Sequence, residues 1–275
     1  MRIRRPIRRF PMTTLLILVH VLMLSYAVTA QSPDEGFPDL SGRWGTMQKL
    51  VATADLPFIG EIVLLTTVGL LSEITQSGSQ LTLQDGYCFT DVEMSTDLFL
   101  TDIPDATVQS IHPPTRFAEL RVEGEEILLV QDWHTEVRGA VLDDPVNDDL
   151  PSYRSDPRVI DMDEDGQIGM TIPAEIVGMF GGDTYAVQRF RYRLEGRLVD
   201  PETILGTVEW TTEQVILWAT DALLMMPYTQ SIDQDPTVHR FVMRRMDERS
   251  SCEALREQGE SLLKLLDTAD LSSDP

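Results

Sequence analysis

Alternation of apolar and polar residues along most of the chain predicts a protein built from β-strands. Runs rich in Val, Ile, Leu and Thr, which favour a pleated and half-buried surface, occupy ten segments: 46–52, 61–75, 80–84, 87–94, 115–122, 127–137, 184–194, 204–210, 214–220 and 237–246. Asp85-Gly86 predicts a hairpin turn between two of these runs, and Gly196 predicts a turn between two others.

One helix is predicted after the last strand. Ser250 and Glu253 have the spacing of a capping box, and Leu255, Leu262 and Leu266 recur on one helical face. We therefore expect a β domain over residues 31–250, a helix over 251–266 packed on it, and a disordered tail over 267–275. The pattern predicts an all-β, mainly antiparallel fold of about eight to ten strands, either a β-barrel or a barrel-like sandwich.

The first thirty residues have the three parts of a secretory signal peptide. Five arginines precede an apolar stretch over residues 15–24, and Val28 and Ala30 stand at positions −3 and −1 of a cut before Gln31. The stretch is shorter than the roughly 20 residues that span a bilayer, although an uncleaved anchor is the alternative. We predict cleavage, a periplasmic or secreted protein, and no integral insertion of the mature chain into a membrane.

The chain is strongly acidic. It has 45 Asp and Glu residues against 22 Lys and Arg, for a net charge of −23, and loss of the five leader arginines would make the mature chain still more negative. Such a surface repels nucleic acid and anionic lipid headgroups, so we expect no nucleic-acid partner. It suits divalent cations or cationic partners, or serves solubility alone.

The chain has two cysteines, Cys88 and Cys252. In an oxidising compartment an even pair predicts a disulfide, which would join the C-terminal helix to an early strand. Two buried free thiols are the alternative. The sequence does not determine the oligomeric state.

A short acidic motif predicts a calcium loop. Asp161, Asp163 and Asp165 alternate as in the first half of an EF-hand loop, Gly166 permits the sharp turn, and Gln167 would offer its backbone carbonyl. Position twelve is Ile172 rather than Glu, so a further ligand would come from Glu175, Asp156 or the neighbouring acidic stretch. We expect a structural calcium ion, against the alternative of an acidic surface turn.

A second motif resembles one found in lipocalins. Gly42-Arg43-Trp44 is similar to the Gly-x-Trp of lipocalin-like barrels, in which the Trp closes one end and an Arg from the last strand packs over it. The resemblance implies a lipocalin-like β-barrel with Trp44 in that position. Arg240, Arg244 and Arg245 are the candidate arginines, and we take Arg244 as the partner, through a cation–π contact.

The chain also resembles a group of exported bacterial β-rich proteins that share an Asp-x-Asp-x-Asp-Gly loop and have no characterised activity. The similarity lies in PFIGEIVLLTT, Cys88, DMDEDGQIGMTI, YAVQRFRYRLEG and the closing CEAL, across most of residues 40–255. It implies export and a β fold and implies no reaction.

Two strands carry charged residues at alternate positions. Asp132, His134 and Glu136 share one face, which we predict to be solvated, with Trp133 and Val137 facing inward. On the later strand, Phe190, Tyr192 and Leu194 are predicted to face the core. The alternating Arg189, Arg191 and Arg193 would then lie outside and pair with acids, although they could clamp an anion if the interior is polar.

Motifs of common enzyme classes do not occur in the sequence: there is no Gly-x-Ser-x-Gly, His-Glu-x-x-His, Gly-rich phosphate loop or Cys-x-x-Cys. We therefore predict no catalytic residues and an exported, non-enzymatic β-barrel that binds a small apolar or amphipathic ligand. The alternatives are a calcium-stabilised structural or surface-interaction module, and a hydrolase that uses paired carboxylates without a local motif.

Overall fold

The computed structural model of the chain describes residues 36–268. The predicted signal peptide lies outside these residues, as does the tail from residue 269 onward. The elements are β1 (Gly42–Leu56), β2 (Gly60–Ser77), β3 (Gln80–Met94), β4 (Phe99–Leu100), α1 (Asp105–Gln109), β5 (Arg116–Glu123), β6 (Glu126–Arg138), β7 (Met170–Ile176), β8 (Phe180–Asp200), β9 (Thr203–Ala219), β10 (Thr229–Ile232), β11 (Arg240–Arg245) and α2 (Cys252–Thr268).

Eight strands form a closed antiparallel ring. In the order β1, β2, β3, β5, β6, β8, β9 and β11, each strand pairs with the next, and β11 pairs back with β1. Closure satisfies the backbone groups that an open sheet would leave at its edges. The predicted fold, mainly antiparallel β with a C-terminal helix, is confirmed. The described residues form eleven strands, because the ten predicted segments correspond to eight strands, and β4, β7 and β10 were not predicted.

The interior of the ring holds the main apolar core. Alternation puts Leu50 and Ala52 of β1 inside, and Phe190, Tyr192 and Leu194 of β8 face them as predicted. The arginines at alternate positions of β8 lie outside, where Arg189 pairs with Glu213 at 2.7 Å and Arg193 pairs with Glu209. Strand β8 therefore has its apolar face inward and its charged face outward.

Two predicted turns are wrong because their glycines lie within strands. Asp85-Gly86 lies within β3, where it pairs with Ser72 and Leu71 of β2, and the chain turns earlier, at Gly78. Gly196 lies within β8 opposite Gly206 of β9, and the turn comes at residues 201–202. A methyl group on either glycine of this second pair would come within 2.6 Å of the Phe241 ring, so the pair makes room for an aromatic side chain. The segments 204–210 and 214–220 are correspondingly one strand, β9.

One end of the ring is extended by short elements. Strand β7 pairs with the beginning of β8, the two-residue β4 pairs with β7, and β10 pairs with the end of β1. Helix α1 lies beside β3, where Gln109 donates a hydrogen bond to the carbonyl oxygen of Cys88 at 3.1 Å. The opposite end has the tight turns near Gly78, Gly124 and residues 201–202, together with the segment before β1, where the Leu40 amide donates a hydrogen bond to Gln76.

Helix α2 packs on the outer face of the ring. Its buried residues Leu255, Leu262 and Leu266 contact outward-facing side chains that include Met47 and Val242. The side chain of Ser251 accepts a hydrogen bond from the amide of Ala254, so the helix is capped by Ser251 and not by Ser250 as predicted. The helix continues two residues beyond the predicted end. None of the described helices is long and apolar enough to cross a membrane.

The predicted disulfide joins Cys88 of β3 to Cys252 at the first turn of α2, across a sequence separation of 164 residues. Both the bond and the leucine face hold the helix to the ring. A covalent link over so long a loop lowers the entropy of the unfolded chain. In the chain-entropy model this raises the free energy of unfolding by about 5 kcal/mol.

We predict that the double substitution Cys88→Ser and Cys252→Ser lowers the free energy of unfolding by roughly 2–5 kcal/mol. Urea denaturation followed by circular dichroism measures this. The folded variant should keep the circular-dichroism spectrum typical of β-strands, because the ring closes without the disulfide. A variant as stable as the wild type in oxidising buffer would contradict the prediction.

Candidate functional site

Trp44 packs inside the ring, at the end opposite the short elements. Its side chain is fully buried, and its indole N–H donates to the carbonyl oxygen of Leu40 at 2.8 Å. The guanidinium of Arg245 lies 4.9 Å from the ring centroid and donates to the carbonyl oxygens of Ser41 and Asp39. The arginine thereby joins the last strand to the segment that precedes β1.

The prediction that Arg244 covers Trp44 is wrong. Trp44 and Arg245 are directly opposite each other in the register of β1 with β11. Arg244 is one residue away and so points to the other face of the strand, where it hydrogen-bonds the Thr203 hydroxyl and lies 3.7 Å from Asp200.

A buried ion pair lies deeper in the ring. The side chains of Asp85 and Arg116 are essentially inaccessible to solvent and form two hydrogen bonds with each other. Ser72 donates a hydrogen bond to Asp85 at 2.6 Å, and Arg116 also donates to the Gln131 side chain. This neutralisation and hydrogen bonding offset the cost of taking two charges out of water.

A second buried ion pair joins Glu136 and Arg138 of β6 at 3.0 Å. The Tyr87 hydroxyl donates to Glu136 at 2.8 Å and accepts from Arg138 at 2.7 Å. The Nε2 atom of His134 lies 3.6 Å from the Glu136 carboxylate, outside hydrogen-bond range. Carboxylate, hydroxyl and guanidinium thus form a closed triangle inside the ring.

The prediction of a solvated face for Asp132, His134 and Glu136 is wrong for the last two. The register of β6 with β8 shifts between Gln131 and His134, and this irregularity turns His134 and Glu136 inward. Trp133 lies on the outer face instead, where Arg191 and Arg193 stack over it at 5.4 and 5.5 Å. Val137 packs beneath the 140–159 loop, also outside the ring.

The environment of Glu136 keeps its carboxyl group ionised. Burial on its own would raise the pKa of Glu136, but the neighbouring His134 ring, the Arg138 guanidinium and the Tyr87 hydroxyl lower that pKa to about 2. Burial raises the pKa of Tyr87 well above its usual value, so its hydroxyl stays protonated and continues to donate. The triangle therefore has a fixed distribution of charge and protons at neutral pH.

A cavity of about 250 Å³ lies inside the ring between this triangle and the extended end. Its volume is just below the range typical of drug-sized ligand sites, roughly 300–1,000 Å³, so it suits a small molecule. Most of its wall is apolar. The apolar lining includes Leu50, Ile62, Val68, Val92, Ile103, Val108, Met170, Ile172, Ile176, Phe190 and Ile216.

Polar side chains form one row across three neighbouring strands of the cavity wall, β6, β8 and β9, and continue to Tyr228. Arg138 of β6 donates to Gln188 of β8 at 2.9 Å, Gln188 donates to Gln214 of β9 at 3.2 Å, and Gln214 donates to the hydroxyl of Tyr228, just before β10, at 3.0 Å. All four residues line the cavity, as does Thr212, whose hydroxyl has no hydrogen-bond partner in the described structure. We call Arg138, Gln188, Gln214 and Tyr228 the polar row.

Exposed apolar side chains surround the extended end of the ring. Phe58 is 67 % exposed and packs edge-on against Phe180, which lines the cavity. Neighbouring loops and turns present further exposed apolar side chains beside lining residues: Leu98, Leu100, Val177, Met179, Leu223 and Met225. The route from solvent to the cavity is therefore bordered by apolar groups.

The aspartate loop lies outside the ring, directly before β7. Asp161, Asp163 and Asp165 each offer an oxygen, and these oxygens lie within 4.8 Å of one another. The amide of Gly166 donates to Asp161 at 3.0 Å, while Thr171 donates through its amide to Asp163 and through its hydroxyl to Asp165. One oxygen of Asp163 is buried without a partner. Three convergent carboxylates with a spare buried oxygen could hold a hard cation.

The structure does not bring the expected additional ligand into this group. Asp156 pairs with Arg158 at 2.8 Å, and Ile172, at the twelfth position, lines the cavity. Glu175 is absent from the cluster of described carboxylates around Asp161. The Gln167 side chain accepts a hydrogen bond from Arg154, leaving its backbone carbonyl as the predicted ligand atom.

Most of the polar residues inside the ring were not predicted from the sequence. Asp85 was assigned to a turn and Glu136 to a solvated face, while Arg116, Arg138, Gln188 and Gln214 were not singled out. Only a weak sequence pattern indicates that some of these residues face the interior. Gln188 and Gln214 interrupt apolar runs at positions that alternation would place with Phe190 and Ile216, and only the pairing of β8 with β9 makes them neighbours.

We predict that Glu136→Gln destabilises the protein at neutral pH, by roughly 3 kcal/mol as for loss of one partner of a buried pair. Because folding lowers the pKa of Glu136 from 4.5 to about 2, its contribution is present above pH 4.5 and is lost as the pH falls towards 2. The stability difference between wild type and variant should therefore shrink over that interval. Urea denaturation at a series of pH values measures it, and a constant difference would contradict the assignment.

No family model, no curated protein and no solved structure matches the chain. The chemistry of the cavity and of the aspartate loop therefore carries the functional inference.

Proposed function

We propose that the protein is an exported binding protein whose ring encloses a small apolar or amphipathic molecule. The observation that carries the proposal is the cavity itself, because a concave space with an apolar wall and a few convergent polar groups is the usual form of a small-molecule site. The apolar side chains around its outer end favour entry of an apolar molecule.

The cavity favours binding over hydrolysis by paired carboxylates. None of the described residues that line it is an aspartate or a glutamate. Glu136, the nearest acid identified, is held behind Arg138 and Tyr87 with a lowered pKa, which is opposite to the raised pKa of a carboxylic acid that donates a proton in catalysis.

Lipocalin-like architecture and export are parts of the same proposal. The closed eight-strand ring, the buried Trp44 and the arginine stacked over it support the first. The disulfide, together with the signal-like leader, supports folding in an oxidising compartment such as the periplasm or the extracellular medium.

We predict that the purified protein binds one equivalent of an uncharged apolar fluorophore such as N-phenyl-1-naphthylamine. Ala174→Trp, which inserts a large side chain into the cavity from β7, should weaken that binding at least about tenfold. The control is Val199→Trp, at an exposed position near the opposite end of the ring, which should bind as the wild type does. Fluorescence titration measures all three, and equal binding by Ala174→Trp would place the fluorophore elsewhere.

A structural calcium ion in the aspartate loop is a second element of the proposal. The convergent carboxylates and the buried, unpartnered oxygen of Asp163 support it. Thr171 ties the loop to β7, and the alternate β7 residues Met170, Ile172 and Ala174 line the cavity. A cation would neutralise the three carboxylates and so stabilise the loop that anchors this wall. It would equally stabilise a structural or surface-interaction module.

We predict that calcium raises the midpoint of thermal unfolding and that Asp163→Asn abolishes this rise. Binding should be weak, with a dissociation constant on the order of 10⁻⁴ to 10⁻³ M as in extracellular modules. Glu164→Gln is the matched control, because it removes the same charge from an exposed residue of the same loop that does not belong to the carboxylate cluster. Differential scanning fluorimetry with calcium or chelator measures the effect. An unchanged midpoint in the wild type would contradict the calcium site.

A further inference from the structure

The two buried ion pairs inside the ring each bring together one negative and one positive charge. Asp85 neutralises Arg116, and Glu136 neutralises Arg138 at 3.0 Å. Arg138 is the one charged side chain among the described residues that line the cavity, and its partner lies directly behind it. A ligand inside the cavity therefore meets a guanidinium whose charge is already compensated.

This charge compensation determines whether a charged head group in the cavity would be stabilised or destabilised. A carboxylate placed against Arg138 would share that cation with Glu136 and leave one net negative charge in a water-poor interior. An ammonium group would add a positive charge that no described side chain of the cavity wall compensates. Either arrangement is costly, because an uncompensated buried charge loses far more hydration than the surrounding dipoles return.

The remainder of the polar row suits an uncharged polar group. Gln188 and Gln214 each have amide donors and a carbonyl acceptor, and Tyr228 accepts from Gln214 while its own hydroxyl hydrogen is free to donate. The Thr212 hydroxyl and the Nε of Arg138 have no hydrogen-bond partner in the described structure. Because Glu136 already compensates the charge of Arg138, these unused donors and acceptors can bind a hydroxyl, ester or ketone oxygen without adding a charge to the interior.

We propose that the cavity binds amphiphiles with an uncharged head group at the polar row, and that Glu136 excludes carboxylates by cancelling the charge of Arg138. The apolar tail lies between the walls towards the extended end of the ring. This inference rests on the proposed ligand-binding function and specifies its ligand class.

The test uses three amphiphiles of equal chain length, 1-decanol, decanoate and decylammonium, as competitors of the bound fluorophore at neutral pH. We expect 1-decanol to displace it with an affinity at least about tenfold higher than that of either ion. Decanoate binding as tightly as 1-decanol or more tightly would overturn the inference and leave the ligand-binding function intact. No fluorophore binding by the wild type would instead contradict the proposed function.

Glu136→Gln tests the cause of the selectivity. The substitution keeps a hydrogen-bond acceptor for Tyr87 but leaves the Arg138 charge uncompensated, so the affinity for decanoate relative to 1-decanol should rise at least about tenfold. The control is Glu209→Gln, which changes the net charge equally but lies on the outer face of β9, paired with Arg193. It should keep the wild-type preference. An equal ratio of decanoate affinity to 1-decanol affinity in the two variants would overturn the role of Glu136.

Gln214→Leu provides a test that does not disturb an ion pair. It removes the polar amide from the row at nearly constant volume, so the affinity for 1-decanol should fall about tenfold relative to the affinity for the fluorophore, which is measured for the variant in the same titration. Undiminished 1-decanol affinity in this variant would show that its hydroxyl does not bind at the polar row and would overturn the inference.

Discussion

Backbone pairing between β1 and β11 joins the first and last strands of the ring, and the interior of the protein exists because of it. The register of that pairing places Trp44 opposite Arg245, so the indole fills one end while the guanidinium covers it and binds the preceding carbonyl groups. With this end filled, side chains from six of the eight ring strands, β1, β2, β3, β6, β8 and β9, line the cavity. The same closure presents an unbroken outer surface on which α2 packs.

The interior combines two requirements that oppose each other. Apolar packing stabilises the ring, yet Asp85, Arg116, Glu136 and Arg138 are buried within it. They are tolerated because each charge has an opposite partner and further hydrogen bonds, and breaking either pair would leave a buried charge alone. Because Glu136 compensates the charge of Arg138, the cavity wall has a polar row but no unpaired charged side chain among its described residues.

The outside of the ring carries elements that stabilise it at separate places. Helix α2 is held by its leucine face and by the Cys88–Cys252 bond. The aspartate loop is held to β7 by Thr171, beside the cavity wall. A cation in that loop and a ligand in the cavity would therefore act on the same strand from its two faces.

Sequence alone determined the features that depend on local pattern: the antiparallel β class, the leucine face of α2, the inward Phe190, Tyr192 and Leu194, and the disulfide partners, since the chain has two cysteines. Tertiary structure decided which residues meet across strands. The register irregularity before His134 reversed the predicted face of β6, the Phe241 ring accounted for Gly196, and pairing of β6, β8 and β9 assembled the polar row. Alternation fixes which residues share a face, but only strand pairing decides which face is enclosed and which distant residues become neighbours.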